Sequence, residues 1–109
     1  MRQPNDPALL ALARYFEKSR QQGSTPSLSF DEYEDLIAHY DSLRAPDRII
    51  EVLDCALQQY PYSVHFYLKK ADFLLAQNCI EEALATIDVA AGLSPDNFEV
   101  LILSIEALT

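Results

Sequence analysis

Shifted against itself so that Tyr33 falls on Tyr67, the chain also lays Asp54 on Asp88, Ala56 on Ala90 and Pro61 on Pro95. Apolar character follows the same period. Ile37 falls on Ala71, Tyr40 on Leu74, Ile49 on Ala83, Leu53 on Ile87 and Leu57 on Ala91. A second, equal shift carries Tyr67 to Leu101, Ala71 to Ile105 and Leu74 to Leu108. A period of this length marks an array of one supersecondary unit, each copy burying its apolar face against its neighbours.

The unit reads as a pair of helices. Two glycines in 109 residues, and six prolines set at intervals rather than in clusters, favour helices joined by short connections. Leu9, Leu12, Ala13 and Phe16 recur at helical spacing, with Pro7 suited to a first turn and Gly23 to a stop, which predicts a helix over residues 7–22. Ser29 followed by Glu32 reads as a capping box, with Asp31, Glu32, Glu34 and Asp35 crowding the first turn of a second helix that runs to Leu43. Pro46 opens a third helix and Pro61 closes it. The pattern then recurs: Val64 to Ala76, a left-handed stop at Asn78, Ile80 to Leu93, and a sixth helix from about Asn97. Pairs 31–43 with 47–60 and 64–77 with 80–93 are expected side by side, with Leu9, Leu12 and Phe16 of the first helix buried against the first pair.

Period and small-residue places together resemble the tetratricopeptide repeat family, in particular small bacterial members or an N-terminal fragment of a longer one. The family's first helix carries a large residue, a Leu-and-small pair and an aromatic; Tyr33, Leu36, Ile37 and Tyr40 stand at those places, then Tyr67, Lys70, Ala71 and Leu74. The second-helix places hold Ile49, Leu53, Ala56 and Pro61, then Ala83, Ile87, Ala90 and Pro95. Lys70, Ile37 and Ile49 depart from the pattern and imply local repacking. The resemblance implies an all-α, right-handed solenoid of about two and a half repeats plus a capping helix: residues 1–29 as cap and loop, 30–63 and 64–97 as full repeats, 98–109 as part of a third. A helical bundle whose helices are merely alike in length is the alternative.

Composition excludes several functions. Eight Lys and Arg against seventeen Asp and Glu leave a net charge of -9, so the phosphate-neutralising surface that nucleic acid requires is missing. No apolar stretch approaches the length of a membrane span, and no signal-peptide core follows the polar N-terminus. Cys55 and Cys79 form no disulfide framework, which favours a reducing, cytoplasmic setting. They and the two histidines, His39 and His65, show no metal-ligand spacing, and no glycine-rich loop can cradle a phosphate, so no cofactor or metal is expected. His65 and Asp72 stand two helical turns apart on one face, but Ser63 and Ser104, the serines that could complete a catalytic set, lie in no distinctive turn. A solvated polar face is the preferred reading, and no enzymatic activity is expected.

What remains is surface. In the family, first helices line a concave groove; by that resemblance Asp31, Glu34, Ala38 and Asp41 would face it from one repeat, His65, Leu68, Asp72 and Leu75 from the next, and Glu99, Ile102 and Glu106 from the last. Such a groove, acidic with an apolar floor, suits a basic or neutral peptide, although a chain of this charge shows acid on every face. Family members that grip acidic C-terminal tails use basic and amide residues at places held here by Glu34, Ala38, Lys69, Glu99 and Leu103, of which only Lys69 is basic. The function expected is therefore protein–protein interaction. Two rivals are a structural N-terminal segment of a longer repeat protein, since residue 109 falls half a repeat short, and an accessory domain of an enzyme. The last helix is apolar almost all round. Leu101, Ile105 and Leu108 are expected on the preceding helix, leaving Phe98, Val100, Ile102 and Leu103 to self-associate as a homo-oligomer.

Overall fold

The computed structural model describes residues 6–108. Six helices account for its regular structure, with no strand among the described residues: α1 (Pro7–Gln21), α2 (Phe30–Ser42), α3 (Pro46–Gln59), α4 (Val64–Ala76), α5 (Ile80–Leu93) and α6 (Phe98–Leu108). The chain divides into two units, Met1–Gln59 with α1 to α3 and Tyr60–Thr109 with α4 to α6.

Helix boundaries keep the period of the sequence. α2 and α4 begin and end one period apart, Phe30 answering to Val64 and Ser42 to Ala76; α3 and α5 do the same, and α6 begins one period after α4. The signals that set the boundaries recur too. Ser29, Ser63 and Asn97 precede α2, α4 and α6, and each side chain accepts a backbone N–H of the first turn, which satisfies a donor the helix leaves unpaired. At Ser29 the capping box is complete, Glu32 accepting the Ser29 N–H at 2.9 Å. α2 and α4 stop alike: Arg44 (φ 53°) and Asn78 (φ 64°) turn left-handed, and the next N–H, of Ala45 and of Cys79, donates back to the carbonyls of Tyr40 and Leu74.

In the first unit α1 packs on α2. Leu9, Leu12 and Phe16 are buried as expected, Phe16 stacking obliquely on Tyr40 at 6.3 Å between centroids. Tyr33, Leu36 and Ile37 of α2 and Ile49, Val52, Leu53 and Ala56 of α3 complete the core. The connection from α1 to α2 is held by side chains. Gln59 grips Leu28 on both sides, accepting its N–H at 3.1 Å and donating to its carbonyl. The Tyr33 hydroxyl lies 2.7 Å from Gln59 Oε1 and 3.0 Å from the Pro26 carbonyl. The ion pairs Arg20–Glu51 and Arg48–Glu17 are partly exposed and contribute little beside this packing.

In the second unit Leu68 and Ala71 of α4, Ile87 and Ala90 of α5 and Val100 of α6 form one cluster, with Tyr67, Leu103 and Ala107 packed on it. Tyr67 repeats the Tyr33 contact, its hydroxyl donating to the Pro61 carbonyl at 3.0 Å. Its environment is nonetheless not equivalent, because Tyr67 is half-buried where Tyr33 is fully enclosed.

The rotation of α6 corrects the sequence expectation. Val100 is buried, at 2% exposure, while Leu101, Ile105 and Leu108 are exposed at 52%, 64% and 75%. α6 docks through Val100, Leu103 and Ala107, a face turned by about one residue from the expected one. The physical reason lies in which neighbour each face meets. Tyr67 and Ala71 of α4 stand at the places of Leu101 and Ile105 and pack toward α5, the second helix of their own pair. Among the described residues α6 has no such second helix, so these places stay in water while its other face meets α4 and α5.

Candidate functional site

A groove of about 390 Å³ runs between α4 and α6 in the second unit. α4 contributes His65, Leu68, Lys69 and Asp72; α6 contributes Glu99, Ile102, Leu103 and Glu106. Within each helix the spacing is i, i+3, i+4, i+7, one continuous face. The two quartets are also equivalent under the period: His65 with Glu99, Leu68 with Ile102, Lys69 with Leu103, Asp72 with Glu106.

Leu68 is buried and Ile102 only 39% exposed, so the pair makes an apolar floor. Asp72, Glu99 and Glu106 are exposed along the walls, three carboxylates against the single ammonium of Lys69. The His65 ring packs edge-on against Phe66, 5.5 Å between centroids. An open groove of this composition can hold an extended or helical segment and favours positive charge.

Six of the eleven groove residues read from the sequence, His65, Leu68, Asp72, Glu99, Ile102 and Glu106, thus line one cavity. Asp31, Glu34 and Asp41 do not line it. They lie on α2 in the first unit, Asp31 and Asp41 exposed and Glu34 half-buried. Lys69 and Leu103, which the sequence reading weighs only as places where a basic groove residue could stand, line the cavity as well, and shifting the α4 quartet by one period returns Leu103 directly. Of the four residues expected to self-associate, Phe98 and Ile102 are exposed, Leu103 is half-buried and Val100 is in the core, which removes Val100 from any contact surface.

The serines considered for catalysis are committed to backbone: Ser63 Oγ accepts the Phe66 N–H, and Ser104 Oγ donates to the Val100 carbonyl at 2.9 Å. Cys55 is buried, and burial pushes its thiol up, against a smaller opposing influence of Arg20. That suits a packed residue rather than a nucleophile. Cys79 is exposed. In the first unit His39 Nδ1 and the Tyr40 hydroxyl are buried without meeting the geometry of a hydrogen bond. Burial first, then the negative charge of Glu17, holds the Tyr40 phenol well above its ordinary range.

Among the described residues no group of three His, Cys, Asp or Glu side chains could hold a metal ion, and no helix is long and apolar enough to cross a membrane. No family model matches the chain, and no curated protein matches it.

Proposed function

We propose that the chain is a helical-repeat module of the tetratricopeptide kind, arranged as a right-handed solenoid, whose role is to bind another polypeptide and not to catalyse a reaction. The observation that carries this reading is the groove itself, lined by one quartet of helix positions that recurs after a single period. A groove of that origin belongs to the repeat architecture and lengthens with it, which is how such proteins come to hold extended partners. The ligand is a basic or neutral peptide. Asp72, Glu99 and Glu106 raise the rate of encounter with cationic segments, and Leu68 with Ile102 supplies the apolar contact that slows departure. Nucleic acid is disfavoured by the net charge of -9. A cytoplasmic setting agrees with the two free thiols.

The test is a titration with two labelled peptides, one alternating Lys with Leu and the other Glu with Leu, followed by fluorescence anisotropy at low and high salt. The Lys peptide should bind, more weakly as salt rises, and lose at least roughly tenfold in affinity when Asp72→Lys and Glu106→Lys are combined. Equal affinity for both peptides, or indifference to the charge reversal, would reject the groove as the site.

A further inference from the structure

Outside the groove, the most exposed apolar surface of the second unit is a single stripe along α6: Phe98, Leu101, Ile105 and Leu108, exposed at 72%, 52%, 64% and 75%. Their spacing is 3, 4, 3, the interval of a seam that takes one helix along its length. One period earlier the same places are Val64, Tyr67, Ala71 and Leu74 of α4. There Val64, Tyr67 and Ala71 pack in the cluster that holds Ile87 and Ala90 of α5. A short connection, Gln77 to Cys79, joins α4 to α5, so the helix received is antiparallel. The α6 stripe therefore has the form of a face that receives an antiparallel helix.

We infer that this stripe is the seam of a dimer in which α6 of one copy lies antiparallel to α6 of a second, about a two-fold axis at the level of residue 103. The spacing 3, 4, 3 reads the same in both directions. Reversing the helix therefore sets Phe98 on Leu108 of the partner subunit and Leu101 on Ile105 of the partner subunit, and the same contacts return on the other side of the axis. Charge does not oppose it locally. Glu99 and Glu106 face the groove, and the positions flanking the stripe are Asn97, Ile102 and Ser104, so no carboxylate enters the seam. Area limits the strength of the pairing. Taking roughly 150–200 Å² for each whole side chain, the exposed fractions amount to on the order of 500 Å² per copy and 1,000 Å² per pair. That upper bound lies below the roughly 1,200–2,000 Å² of stable interfaces, in the range of weak, concentration-dependent association. With a net charge of -9 on each copy, screening favours association, and salt strengthens the dimer where it weakens peptide binding in the groove.

Sedimentation equilibrium of the full chain from low to high micromolar concentration tests this. A monomer–dimer equilibrium is expected, tightening with salt. Leu101→Glu combined with Ile105→Glu should leave a monomer at every concentration with an unchanged far-ultraviolet circular dichroism spectrum, and Tyr62→Ser, at an exposed site off the helix, should change nothing. In a Cys79→Ser background, Phe98→Cys tests direction, because residues 98 of the two copies meet in a parallel pair and stand at opposite ends of an antiparallel one. A monomer at high micromolar concentration overturns the inference, as does a dimer insensitive to the paired substitution or efficient oxidative cross-linking through position 98 alone.

Discussion

Val100 and Leu101 are neighbours in sequence, both large and aliphatic, and the structure assigns them opposite surroundings: 2% exposed in the cluster of α4, α5 and α6, and 52% exposed in water. Truncating each to alanine separates the observed rotation of α6 from the one its repeat position suggests. Val100→Ala removes the equivalent of two buried methyl groups, at roughly 0.8 kcal/mol each, and leaves part of that volume empty. Alanine's better helix propensity returns roughly 0.5 kcal/mol, so the net loss should be about 1.5–2 kcal/mol. Leu101→Ala removes a larger side chain from a half-solvated site and should change the stability of the monomer by less than about 0.5 kcal/mol. The measurement is urea unfolding followed by far-ultraviolet circular dichroism at sub-micromolar concentration, below the range in which copies associate. An unchanged m-value would assign the shift in midpoint to stability rather than to a change in compactness. In a thermal scan Val100→Ala should lower the midpoint by roughly 6–12 °C. Equal losses at the two sites, or the greater loss at Leu101, would mean that α6 docks through the other face.

Two further outcomes concern buried groups of the first unit. Tyr40→Phe should leave stability unchanged or raise it by roughly 1 kcal/mol, since the lost hydroxyl is buried without a well-formed hydrogen bond; in addition the folded phenol ionises above its unfolded counterpart, so the parent chain loses stability as pH rises past about 10, by at most about 1.4 kcal/mol per unit, and the variant, compared by urea unfolding between pH 8 and 11, should lack that component. Cys79 should react with a water-soluble disulfide reagent within the mixing time and Cys55 only as the chain unfolds, so rapid native labelling of two thiols would contradict the packing of α3.

How far the sequence could be read depended on whether a signal was local. The Ser29–Glu32 box, Asn78 as a left-handed stop and the proline punctuation each state their own geometry, and the helices begin and end where those residues stand. Arg44 is the contrary case. Arginine has no preference for positive φ, and only its position one period before Asn78 marks it. The orientation of α6 was illegible for a different reason. Its charged residues, Glu99 and Glu106, share a face with Ile102 and Leu103, while Phe98, Val100, Leu101, Ile105 and Leu108 spread apolar character around the rest, so rotation was assigned by analogy with α4. The analogy gave the right equivalences and the wrong burial. A period identifies places, whereas burial depends on which neighbour is present to meet them.

The same distinction separates what the groove owes to the fold from what it owes to a ligand. Leu68 and Ile102 stand at one repeat place; Leu68 is buried in the core cluster, so its apolar character is what packing alone would select, whereas Ile102 is exposed. Asp72 and Glu106 stand at another place, both exposed and both acidic. His65 with Glu99, and Lys69 with Leu103, differ in charge between the two copies although they line the same groove. Helix formation and packing tolerate that variety, which shows how weakly the scaffold constrains this face. On the proposed reading of the groove, the exposed acids beside its apolar floor are where a partner's positive charges would sit, at an interval matching the two helices.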